Sequence, residues 1–138
     1  MIYVLLRLVH NNSILLMRRA NTTFGNGLYA LPGGKCEHDE IATDAIIREA
    51  QEELSITLNK NDIKLAHTFH RKGTQDNFIA LIFTTEKWSG EIINNEPEKC
   101  DELAWFALDQ LPDNMITAHR HALECIKKQE IYSEHGWH

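Results

Sequence analysis

The chain has 138 residues, of which 43% are hydrophobic and 25% charged, and its formal net charge is −6. That size and composition predict one globular domain over residues 1–138, large enough to bury a core without staples. The negative balance excludes a general nucleic-acid binder, whose surface is basic. No segment has the length of a membrane span, so a membrane is not an expected partner.

The N-terminal run MIYVLLRLVH is apolar but short, and Arg7 interrupts it. It lacks a basic lead and a cleavage site, so Ile2–Val9 reads as a mostly buried strand rather than a signal peptide. Asn11-Asn12-Ser13 marks a turn, and Ile14–Met17 resumes a strand, which predicts a hairpin. A polar loop, Thr22–Gly27, leads to the short apolar run Leu28–Leu31 and then to Pro32-Gly33-Gly34.

A helix is expected from a cap at Asp39. At 100° per residue Ile47, Ala50 and Leu54 share its core-facing stripe. Beyond it, Ile63–His70 and Phe78–Thr85 read as strands around polar residues 71–77, and Glu91–Glu98 is a charged connection. Leu103–Ala107 reads as a further strand, and Leu111-Pro112-Asp113-Asn114 introduces a second helix over Met115–Gln129. Two helices and about six strands in mixed order predict an α/β layered domain. The tail His135-Gly136-Trp137-His138 reads equally as a frayed end or as a patch that packs on the domain or a partner subunit.

Cys36, Cys100 and Cys125 are odd in number and form no CxxC pair, so neither disulfides nor a zinc site are expected. A reduced, cytoplasmic setting follows. The eight histidines are scattered; even His119 and His121, at i and i+2, point to different sides of a helix.

Glu49, Glu52 and Glu53 are spaced i, i+3, i+4 and therefore share one helix face, beside Ala42 and Ala45 and bordering the core stripe. Such like charges repel unless a cation lies among them. An all-oxygen donor set favours a hard ion, Mg²⁺ or Mn²⁺, and such ions most often serve phosphate chemistry. A backbone carbonyl from the Gly33-Gly34 turn is a further oxygen ligand, because glycine lets the backbone approach closely. An acidic protein acting on an anionic substrate needs cations at its site.

The stretch from Gly34 to Ile56 resembles the Nudix box, GX5EX7REUXEEXGU, with Gly34, Glu40, Arg48, Glu49, Glu52, Glu53 and Ile56 at matching positions. Leu31-Pro32-Gly33-Gly34-Lys35 is similar to the entry to that box. Two positions depart from it. Ala50 is small where a bulky apolar residue is usual, and Ser55 stands where a glycine closes the helix. Serine in that left-handed position should cost about 1 kcal/mol or force another exit.

The resemblance implies the Nudix fold, a mixed β-sheet sandwiched between helices. It implies Glu49, Glu52 and Glu53 as metal ligands, and Glu49 as the candidate general base in MutT-type members. Arg48 orients these glutamates or contacts phosphate; an ion pair with Asp44 or Glu52 is an equal reading. Glu40 accepts from Arg48, sits in the outer metal shell, or answers the helix dipole. Lys35 reaches phosphate or is a solvated surface lysine. The family pattern adds a carboxylate from a later loop, here Glu96, Glu98 or Glu102, with Glu98 preferred.

The same resemblance implies a small-molecule nucleotide substrate and commonly a homodimer. The segment Glu96-Pro97-Glu98-Lys99-Cys100, with Trp105 and Leu111-Pro112, resembles members that cleave nucleoside triphosphates to monophosphate and pyrophosphate. ADP-ribose and nucleotide-sugar enzymes often carry a proline shortly after the box, and none lies between Pro32 and Pro97 here. A nucleotide-sensing, non-catalytic module is the alternative from another class; such modules commonly lose box glutamates.

Overall fold

The apolar runs assemble into one mixed sheet in the computed structural model, which describes residues 1–137. Its strands are β1 (Ile2–His10), β2 (Ser13–Arg19), β3 (Tyr29–Ala30), β4 (Gly33–Lys35), β5 (Lys64–Lys72), β6 (Asn77–Thr85), β7 (Cys100–Ala107) and β8 (Tyr132–His135). The hydrogen-bonded order is β3-β2-β1-β6-β5-β8, with β4 also on β1 and β7 also on β2. β1 is the centre. It meets β6 in parallel from Ile2↔Ile79 to Leu8↔Thr85, β4 antiparallel, and β2 through the Asn11-Asn12 turn.

Helix α1 (Ala42–Leu54) covers one face and α2 (Thr117–Lys127) the other. Because both faces are covered, β1 is apolar on both sides: Val4, Leu6 and Leu8 pack with α1, while Leu5 and Val9 pack toward α2. This two-sided burial is the expected α/β sandwich. Among the described residues no helix is long and apolar enough to cross a membrane. Cys36, Cys100 and Cys125 are free.

Several boundaries differ from the sequence reading. The N-cap of α1 is Ile41, without a side-chain cap, rather than Asp39. Glu40 instead accepts from the Glu37 backbone N–H (3.1 Å), so the acidic side chain that serves this loop is Glu40. The deepest residues of α1 are Ala45, Ile46, Ala50 and Leu54, with Ile47 only partly buried. Strands β4 and β8 were not expected. β8 adds in parallel to β5 from Thr68↔Tyr132 to Arg71↔His135, so of the tail only His135 is sheet, while the Trp137 indole N–H donates to the His70 carbonyl (3.2 Å). His138 lies outside the described residues. Ser55 does end α1 in the left-handed conformation, φ 60° and ψ 26°, with its N–H on the Gln51 carbonyl.

Candidate active site

Two glycines bring β4 against both β1 and α1. Gly33 (φ +151°) pairs with Leu5, and a Cβ there would strike the Val4 carbonyl and come within 2.9 Å of Leu5 Cα. A Cβ on Gly34 would lie 2.7 Å from Glu49 Cδ. The turn thus leaves just enough room for the Glu49 carboxylate.

Arg48 organises the acidic face. Its Nε and Nη2 donate to the two oxygens of Glu40 at 2.8 and 2.9 Å, a forked pair. Its Nη1 donates to Glu49 Oε1 (3.1 Å) and Glu52 Oε2 (3.2 Å), and Nη2 also to the Lys35 carbonyl (3.2 Å). The guanidinium is committed to glutamates, including the i+4 pair with Glu52, whereas Asp44 pairs with Lys60 at 3.0 Å. Bonded to Arg48, Glu40 holds its carboxyl below the ordinary range, and Arg48 is held more firmly protonated than usual.

Glu53 is the exception to this satisfaction. It is only 8% exposed, and its Oε1 is the one buried side-chain polar atom without a hydrogen-bond partner among the described residues. Burial, then the nearby charges of Glu49 and Glu96, push its carboxyl up to about 9, against a bond from the Gly33 backbone. Glu49 is also raised, first by burial, with Arg48 pulling the other way. Leaving a buried polar atom unpaired costs about 1–3 kcal/mol, so an orphaned oxygen amid carboxylates marks a place for a cation.

Glu49, Glu52, Glu53 and Glu96 line one cleft of about 400 Å³, together with Arg19 and Lys99. Glu98, the preferred later carboxylate, is not among them. Its carbonyl accepts from Asn21 Nδ2 at 2.7 Å and its side chain is exposed. Glu102 is engaged elsewhere, by the Tyr29 hydroxyl. Glu96 lines the cleft because the residues before it are tied to the end of α1: Ile93 N–H bonds the Leu54 carbonyl (2.9 Å) and Asn95 N–H the Glu53 carbonyl (3.1 Å). Lys35 is exposed on β4 and does not line the cleft; Lys99, which the sequence reading passed over, does. The signal for it was a lysine in the same turn as Glu96.

Among the described residues no three histidine, cysteine or carboxylate groups close around one point. Oxygens of Glu49 and Glu52 are turned toward Arg48 instead. The donor set still fits a hard divalent cation, since all its donors are oxygens and one of them is satisfied by nothing else.

Comparison with known proteins places this site in context. The model of the NUDIX domain matches residues 2–125. An ADP-ribose pyrophosphatase of Methanocaldococcus jannaschii is 29% identical over 74% of this chain and 59% of its own length. An 8-oxo-dGTP diphosphatase of Escherichia coli is 37% identical over 59% of this chain and 61% of its own. The chain thus spans about three fifths of these curated relatives. The crystal structure of a MutT NUDIX hydrolase from Burkholderia pseudomallei superposes with a TM-score of 0.83 at 32% identity, over 89% of this chain and 95% of that one.

Proposed function

The chain belongs to the NUDIX domain family, and from that premise we propose that it hydrolyses a phosphoanhydride bond in a nucleoside diphosphate linked to a further group. The favoured substrate is a nucleoside or deoxynucleoside triphosphate, cleaved to a monophosphate and pyrophosphate. The observation that carries this reading is the unpartnered Oε1 of Glu53 beside Glu49 and Glu96, in a cleft that also holds Arg19 and Lys99. The likeness to an 8-oxo-dGTP diphosphatase supports the triphosphate.

Glu49, Glu52, Glu53 and Glu96 would hold Mg²⁺, with Mn²⁺ as a substitute and a carbonyl of the Gly33-Gly34 turn as a further donor. Bound there, such a cation shields the phosphate oxygens, activates water and stabilises the leaving phosphate. The chain's own residues supply the rest. Glu49 accepts the proton of the attacking water at Oε2, since Oε1 is held by Arg48. Arg48 fixes Glu49 and Glu52 in orientation. Lys99 and Arg19 supply positive charge for the phosphate chain.

ADP-ribose hydrolysis is the second reading, favoured by the Methanocaldococcus relative. Product analysis by chromatography with Mg²⁺ separates the two. The panel holds common and oxidised nucleoside triphosphates, ADP-ribose, nucleotide sugars and a dinucleoside polyphosphate, with Glu53→Gln as control. Monophosphate and pyrophosphate that vanish in the variant support the triphosphate reading. Cleavage of ADP-ribose alone overturns the substrate, and tight nucleotide binding without turnover overturns the enzyme.

A further inference from the structure

Arg7 breaks the pattern of the central strand. On the α2-facing side of β1 its neighbours Leu5 and Val9 are 7% and 5% exposed, and Arg7 occupies the position between them. A guanidinium there must give up water, which disfavours the charge unless something pairs it. No carboxylate pairs it among the described residues. Its one side-chain bond is from Nη1 to the Thr84 hydroxyl (3.0 Å), across the β1–β6 register. Burial lowers its proton affinity, with the charge of Glu86 opposing. An apolar residue would satisfy the strand better, so the charge has no folding rationale.

What Arg7 does face is a cleft of about 620 Å³, larger than the one at the carboxylates. It lies between the Asn11-Asn12 turn, the segment after β7 and the last turn of α2. Leu108, Leu111, Leu123 and Ile126 give it apolar walls. Asp109 and Glu124 line it too, as does Lys127. None of the carboxylates of the candidate active site borders it.

We propose that this cleft is a second small-molecule site, for a carboxylate borne on an apolar or aromatic body, with Arg7 as its anchor. A guanidinium pairs a carboxylate through two parallel bonds, and Arg7 has donors to spare. The apolar walls accept the body of the ligand. Asp109 and Glu124 penalise a second negative charge, which sets a carboxylate above a phosphate monoester.

The test is calorimetric titration of the full chain with 2-naphthoate and, separately, 2-naphthyl phosphate, in chelator so that the carboxylate cluster carries no cation. Saturable binding of naphthoate is expected, weakened about tenfold or more by Arg7→Met, which keeps the apolar stem. It should be unchanged by Glu53→Gln. Ile126→Trp, a substitution in the half-buried wall, should likewise weaken it about tenfold or more, and serves if Arg7→Met does not fold. Absence of binding, equal binding by Arg7→Met or by Ile126→Trp, or tighter binding of the phosphate ester overturns the proposal.

Discussion

Asn95 donates its side-chain amide to the hydroxyl of Ser55, the residue that ends α1 in the left-handed conformation. The same amide reaches the Gln51 carbonyl (3.3 Å), while the Asn95 backbone N–H takes the Glu53 carbonyl. A serine where the family has glycine therefore gains a partner. The partner is the residue immediately before Glu96. A double-mutant cycle reads this coupling. Ser55→Gly should change stability little in the native background, where relief of strain offsets the lost bond. In an Asn95→Ala background it should stabilise by about 1 kcal/mol. Asn95→Ala alone should lower turnover about tenfold by loosening Glu96. Equal effects of Ser55→Gly in both backgrounds, by urea denaturation, would remove the coupling.

Glu53→Gln should separate stability from activity. The sign follows from linkage. The folded carboxyl titrates at about 9 and the unfolded one at 4.5, so the two states agree below 4.5. As pH rises from there, the unfolded chain loses its proton first and stability falls, levelling off above about 9. In chelator at pH 8 the variant should therefore melt at least about 5 °C higher than the native chain, with the gap closing near pH 4. Turnover should vanish. Differential scanning calorimetry across this range checks it; a variant less stable at pH 8 contradicts the account.

His119 gives the opposite slope. It is 7% exposed, accepts from the Leu31 N–H at Nδ1 (3.1 Å), and burial, aided by the charges of Arg71, Arg19 and His135, lowers it from 6.5 to about 3. The unfolded chain binds the extra proton between those values. Stability is thus full above about 6.5 and declines as pH falls toward 3, by at most about 1.4 kcal/mol per unit. His119→Asn keeps an acceptor near Nδ1 and cannot titrate. Its urea midpoint should fall less than the native one between pH 7 and 5; parallel losses would exclude His119 as the cause.

Gly34→Ala places a methyl against the Glu49 carboxylate without touching the core. We expect at least a hundredfold loss in kcat with the circular dichroism spectrum unchanged. Near-native turnover would mean that Glu49 can move without consequence.

Arg48→Lys keeps the charge and loses the fork on Glu40 and the reach to both Glu49 and Glu52. Stability should fall by about 1–3 kcal/mol, and kcat about tenfold or more. Native values for both would make the guanidinium geometry irrelevant.

The acidic face of α1 was legible because helical spacing is local: Glu49, Glu52 and Glu53 meet through 3.6 residues per turn whatever surrounds them. That Glu96 and not Glu98 lines the cleft was not. It depends on Asn95 reaching the end of α1, forty residues back along the chain. β8 escaped notice for the same reason. Tyr132–His135 is polar and short, and it becomes a strand only because β5 offers an edge. The helix wheel puts Ile47 on the core stripe, whereas Ile46, the neighbouring position, is the one fully buried. Arg7 was read only as an interruption of an apolar run; which side of β1 it occupies became visible once both faces had cores.

The parallel ladder between β1 and β6 has a consequence in time. β1 cannot complete its pairing until Thr85 has been synthesised, and the Asn95 clamp needs ten residues more. Until then β1 can pair only with β2 and β4, leaving its β6-facing edge open. Long-range parallel pairing of this kind slows folding into the millisecond-to-second range. An emerging chain is therefore most prone to association through Ile2–His10 before β6 leaves the ribosome.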